Sequence, residues 1–247
     1  MEYLAMIGSN GPQPEENRAR MAREFPAYQA EMGPRGVKVA GRPLDIDEPV
    51  VTVRVRGGET LVVDGPFAET KEFVGGLDLL DCADLDEAIE VEGKNPVARF
   101  LPLEIRPFRD GVRQGRRLPA FAANDDTAGS PYLLTAWTDS EPTTVPPDYT
   151  AWQEALDARG QYVLGGLLTG PATATTLRSH DGTIHLTNAP FVDLASFITC
   201  VDVITSADRD EAIAHAAAHP LAQTCAIELR PFHSETRRAE RTLRPTA

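Results

Sequence analysis

Three carboxylates and one amine crowd the string DGPFAETKE at residues 64–72. Like-charge crowding of Asp64, Glu69 and Glu72 would raise one carboxyl pKa, and the adjacent Lys71 would lower another. Such a split separates a general acid from a general base. Asp64, Glu69, Lys71 and Glu72 are therefore the candidate catalytic group, with Thr70 among them as a candidate ligand contact. The same letters also spell a turn. Asp caps, Gly permits positive φ, Pro fixes φ, and Phe67 and Phe73 plug a core. Arg106 stands two residues from Glu104 on one face of a strand. It either anchors an acidic ligand or forms a salt bridge inside the sheet.

All five histidines fall in the second half: His180, His185, His215, His219 and His233. His180 and His185 flank the Asp181–Gly182 turn, and His185 is a further candidate ligand contact. His215 and His219 stand four apart on a helix, as metal ligands can. The nearest acid on that face, Glu211, is occupied as a helix cap, so HAAAH reads as a surface pair and no metal site is assigned. No GxGxxG or Walker string occurs, no Ser–His–Asp order stands out, and no cofactor is expected.

These residues sit inside a repeat. Residues 64–108 align with 188–232 at a constant offset of 124, without a gap, and 16 of the 45 positions are identical. A unit of that size suits a small domain rather than a solenoid repeat. The expected organisation is a first domain over 1–108, a polar, flexible linker over 109–131, a degenerate second domain over 132–232 and a tail over 233–247. The copies differ where chemistry would reside: Asp64, Glu69, Lys71 and Glu72 become Asn188, Asp193, Ala195 and Ser196. Only the first copy keeps its full charged set.

In the first copy, EYLAMI reads as a strand and 15–32 as a helix that Pro26 should kink or split. Residues 37–44 read as a strand, and 50–56 with 60–63 as a hairpin around Gly57–Gly58. A further strand at 77–81, a helix capped by Asp84 with Glu87, and a closing strand through Leu103 and Ile105 complete the unit. The second copy follows the same order. This predicts an α+β fold: two ferredoxin-like β-α-β-β-α-β units, each with an added hairpin. Such sheets carry helices on one face only, so pairing the bare faces would bury both and form an intramolecular dimeric α+β barrel.

The chain has 247 residues and a formal charge of −13, with the acidic excess in both halves. That repels a phosphate backbone and argues against direct nucleic-acid binding. No apolar run reaches the ~20 residues of a membrane span, and no secretion signal is apparent, so a cytoplasmic location is expected. Cys82, Cys200 and Cys225 share no position between the copies, which argues against a disulfide framework.

DGPFAETKE, the following Gly75–Gly76, the Asp86–Ile89 helix start and Glu104–Phe108 together resemble DGPF-domain proteins of the YCII-related superfamily. The resemblance implies a dimeric α+β barrel, and neighbourhoods of sigma-factor genes that would supply a regulatory partner. It also implies relatives that act on small molecules through a His–Asp pair, a pair absent from the first copy, which has no histidine. Two functions follow as expectations. One is a fused pseudo-dimer, monomeric or homodimeric, that binds a small molecule or a regulatory partner. The other is a cofactor-free lyase, dehydrohalogenase or isomerase built on the acidic loop.

Overall fold

A computed structural model describes residues 1–67, 72–127, 129–140, 144–191 and 196–234. The first half runs β1 (Glu2–Ser9), α1 (Glu15–Met32), β2 (Lys38–Pro43), β3 (Val51–Arg56), β4 (Glu59–Asp64), β5 (Phe73–Asp81), α2 (Leu85–Lys94) and β6 (Leu103–Pro107). A connecting stretch holds β7 (Arg113–Gln114) and α3 (Leu118–Ala122). The second half runs β8 (Ser130–Thr138), α4 (Tyr149–Ala158), β9 (Tyr162–Leu167), β10 (Thr175–His180), β11 (Thr183–Thr187), β12 (Phe197–Ser206), α5 (Arg209–Ala217) and β13 (Ala226–Pro231). The chain is thus a mixed α+β protein with two antiparallel sheets.

Each sheet contains strands of both halves. One has the order β11-β10-β6-β1-β5-β2, the other β4-β3-β13-β8-β12-β9-β7. The hairpin of each half leaves its own strands and extends the closing strand of the other. Val53 of β3 lies opposite Ile227 of β13, and Thr176 of β10 opposite Glu104 of β6. Sequence reading placed each hairpin as an elaboration of its own unit. Local pattern specifies a hairpin but not which closing strand it will join.

Period-two alternation sorts the strand residues between two layers. Leu4 and Met6 of β1 join Leu77 and Leu79 of β5 with Leu133, Val201 and Val203 of the other half in one apolar cluster. Tyr3 and Ala5 face the opposite way, against Tyr28, Met32, Ala88 and Val91 of α1 and α2. Tyr132, Leu134 and Ile204 do the same toward Leu156, Ala212 and Ala216 of α4 and α5. Helices therefore cover the outer faces, and side chains from both sheets share the apolar seam.

Two expectations need correction. The segment after residue 108 is not a loose polar connection. Its Leu118 and Phe121 enter the seam cluster, and Phe121 meets Phe232 edge-on at 5.0 Å. Arg42, itself buried, donates to both oxygens of Asp126 (2.9 and 3.2 Å) and to the His233 carbonyl, with its guanidinium over Phe121. Buried apolar area in α3 outweighs the polar letters around it. The second correction concerns a split at Pro26: α1 runs unbroken from Glu15 to Met32 across it. Packing of Tyr28 and Met32 onto the sheet compensates for the hydrogen bond a mid-helix proline removes.

Candidate functional site

The acidic string becomes a cross-half clasp wherever it is described. Asp64 closes β4 as an exposed side chain paired with Arg209 at the start of α5. Gly65 follows with φ of 122°, a conformation that favours glycine. The Phe67 N–H donates to Glu228 Oε2 of β13 at 2.9 Å, and the Phe67 ring stacks on Trp137 at 5.6 Å. Glu72, at the mouth of β5, accepts from Arg178 of β10 at 3.1 Å. Glu69, Thr70 and Lys71 lie outside the described residues. The two described candidates, Asp64 and Glu72, thus each meet an arginine of the other half.

The second half builds the reciprocal clasp. The Phe191 N–H donates to Glu104 Oε2 at 3.1 Å, and Thr176 Oγ1 donates to the Ala189 carbonyl at 2.7 Å. In the first half Thr52 Oγ1 donates to the Gly65 carbonyl at 2.9 Å. This accounts for the repeat of Pro, Phe and Glu in both halves: they form matching joints between the halves. Burial pushes the Glu104 carboxyl up, against the opposing pull of Arg106 and the Phe191 amide. Arg106 is 1% exposed and spans the seam to the carbonyls of Ile198 (2.8 Å) and Thr169. Its guanidinium binds backbone of the opposite half. Its counterpart Arg230 donates to Glu228 at 2.6 Å and lies 4.9 Å from the Phe73 ring.

A second constellation was not legible as such. Asp202, 1% exposed in the middle of β12, accepts from Tyr149 (2.9 and 3.0 Å), Tyr162 (2.9 Å), Cys200 (3.3 Å) and His219 Nε2 (3.0 Å). Sequence reading put His215 and His219 on the surface, yet both are buried: His215 lies on the buried face of α5 with Ala212 and Ala216, and His219 caps the turn that follows. His219 Nδ1 accepts the Leu221 N–H at 3.1 Å, so the ring proton sits on Nε2 and points at Asp202. Ligand atoms of Cys200, Asp202 and His219 lie within 4.8 Å of one another. A cation bound at Nε2 would drive the proton to Nδ1, where the Leu221 N–H already points. The tautomer therefore makes this a hydrogen-bond network rather than a metal centre.

The first half holds the matching arrangement with other residues. Asn95 Oδ1 accepts the Val97 N–H at 3.1 Å, and Asn95 Nδ2 donates to Asp78 Oδ2 at 3.1 Å. The amide of Asn95 does the two jobs that the imidazole of His219 does. Lys38 donates to Asp78 at 2.6 Å, whereas Tyr162 holds its place opposite Asp202. In each half a glycine of the neighbouring strand admits the carboxylate: a Cβ on Gly41 would fall 1.9 Å from Asp78 Oδ1, and one on Gly165 2.1 Å from Asp202 Oδ1. Buried Glu92 joins the first cluster. Desolvation, then the nearby Asp78 charge, push its carboxyl up to about 8. The signal available in the sequence was an acid inside an apolar strand at positions 124 apart, Asp78 and Asp202.

Space for a ligand lies elsewhere. A cavity of about 620 Å³ opens beneath the first turns of α1, lined by Ser9, Arg18, Met21, Asp45, Leu101 and His233 among others. A groove of about 360 Å³ lies between the turn at Pro96–Leu101 and the β10–β11 hairpin, and includes the candidate His185.

Residues 1–109 match the YCII-related domain family. Over 76 residues the chain is 41% identical to an uncharacterised protein of Rhizobium meliloti (strain 1021), covering 31% of this chain and 61% of that protein. The chain thus spans about three-fifths of the length of that curated relative. No helix among the described residues is long and apolar enough to cross a membrane.

Proposed function

We propose that the chain is a tandem pair of ferredoxin-like units joined as an intramolecular dimeric α+β barrel, and that it binds a small molecule in the cavity beneath α1. Each half orders its own strands as closing, first, third and second, with helices outside. The cavity carries the functional reading. It combines apolar walls (Met21, Leu101) with polar groups from several elements (Ser9, Arg18, Asp45, His233), as small-molecule sites do. Asp64 and Glu72 are engaged with arginines of the other half, which favours a binding role over catalysis by the acidic loop. The apolar seam leaves the space between the sheets to packing.

The test is a ligand screen against the intact chain, read by thermal shift and amide NMR. At least one compound should stabilise the protein saturably, and Met21→Trp, which fills the cavity from half-buried α1, should abolish that effect. A metabolite-like library without a saturable hit, or a hit indifferent to Met21→Trp, removes the reading.

A further inference from the structure

We propose that the groove between the turn at Pro96–Leu101 and the β10–β11 hairpin binds a small organic anion, its carboxylate or phosphate head held by Arg178, Arg99 and His185 and its apolar body resting on Phe100. One wall belongs to the first half and the other to the second, so the groove exists only because the hairpin crosses over. Arg178 and His185 are directly opposite on the hairpin and present their side chains on one face. Arg99 faces them, with His180 at the rim, and among the described residues no acidic side chain lines the groove.

Acids touch these groups from outside. Glu24 accepts from Arg99 Nε at 3.0 Å, Glu72 from one nitrogen of Arg178 at 3.1 Å, and exposed Asp181 lies 3.5 Å from His180. Each guanidinium offers five N–H groups, so one carboxylate contact leaves donors on both. On a chain of net charge −13, an anion is drawn only to a local cluster of this kind.

The matching positions of the other sheet lack such a cluster. There Arg54 faces Leu61 across the β3–β4 hairpin, and Gln223 occupies the place of Arg99. Arg54 turns onto the Phe67 ring at 5.1 Å, and Arg56 closes across to the Gln223 carbonyl. Of the three positions held by Arg178, His185 and Arg99, only the first keeps a basic residue, Arg54, in the other sheet. Neither Met21 nor any polar lining residue of the α1 cavity belongs to it, so the inference is independent of the function proposed above; the two spaces share Leu101 as a wall.

The experiment titrates the full chain with phenyl phosphate, benzoate, inorganic phosphate and neutral benzyl alcohol at low ionic strength, followed by amide NMR. Saturable shifts at 98–101 and 178–185 are expected with phenyl phosphate or benzoate, and the tighter of the two assigns the head group. Arg178→Ala and His185→Ala should each weaken binding about tenfold, the loss of one charge-assisted contact. Arg54→Ala and Met21→Trp should leave it unchanged. No saturable shift with any anion overturns the proposal. So does equal binding of benzyl alcohol, or binding indifferent to both Arg178→Ala and His185→Ala in folded protein.

Discussion

At the residue scale, repeated letters and chemistry parted company. Glu104 and Glu228 recur because each buries a carboxylate against a phenylalanine amide of the opposite half. Removing either acceptor strands a part-buried N–H and takes the carboxylate from a buried arginine, so Glu104→Ala or Glu228→Ala should cost about 1–3 kcal/mol in denaturant unfolding. A loss near zero would show that the clasp does not hold the halves. His219 offers a sharper test, because Asn95 already performs its two hydrogen-bonding jobs. His219→Asn should keep most of the stability, whereas His219→Ala leaves Asp202 short of a donor and should cost about 1–3 kcal/mol more. Equal losses would mean that ring packing against Trp152, at 4.6 Å, matters more than the hydrogen bonds.

Glu92 makes a pH prediction at the same scale. Its folded-state pKa, near 8, lies above the unfolded value of about 4.3. The folded state holds that proton more tightly between the two values, so this group's contribution to stability is present at low pH and falls as pH rises through the window. Above about 8 it levels off. Glu92→Gln should flatten the fall in melting temperature between pH 5 and 8. An unchanged slope would contradict the assignment.

Among the elements, the connecting stretch and the hairpins carry the lesson. Composition marked 109–131 as a loose connection, but α3 places Phe121 in the seam against Phe232 and Arg42. Phe121→Ala should cost about 3–5 kcal/mol, as for a truncated core aromatic. A cost below about 1 kcal/mol, the surface range, would restore the flexible reading. The hairpins were legible as hairpins from Gly57–Gly58 and Asp181–Gly182, whose positive φ angles suit the turns. Their exchange between sheets was not legible, because pairing between strands this far apart in the chain depends on surfaces that local periodicity does not describe.

For the whole molecule, exchange and seam make the halves interdependent. Residues 1–108 alone would expose Leu4, Met6, Leu77 and Leu79 and leave the β3–β4 hairpin without its closing strand. That fragment should dimerise or aggregate in size-exclusion chromatography with light scattering. A stable, folded monomer would refute the interdependence.

Repetition at a constant spacing, alternation of apolar residues along strands, and cap and turn residues were enough to specify the mixed architecture and the element order, because each depends on neighbours within a few residues. Which hairpin extends which sheet, why Arg106 and His219 are buried, and where open space remains depended on contacts between residues far apart in the chain. Those contacts are settled only when two sheets close on each other and every buried polar group must find a partner.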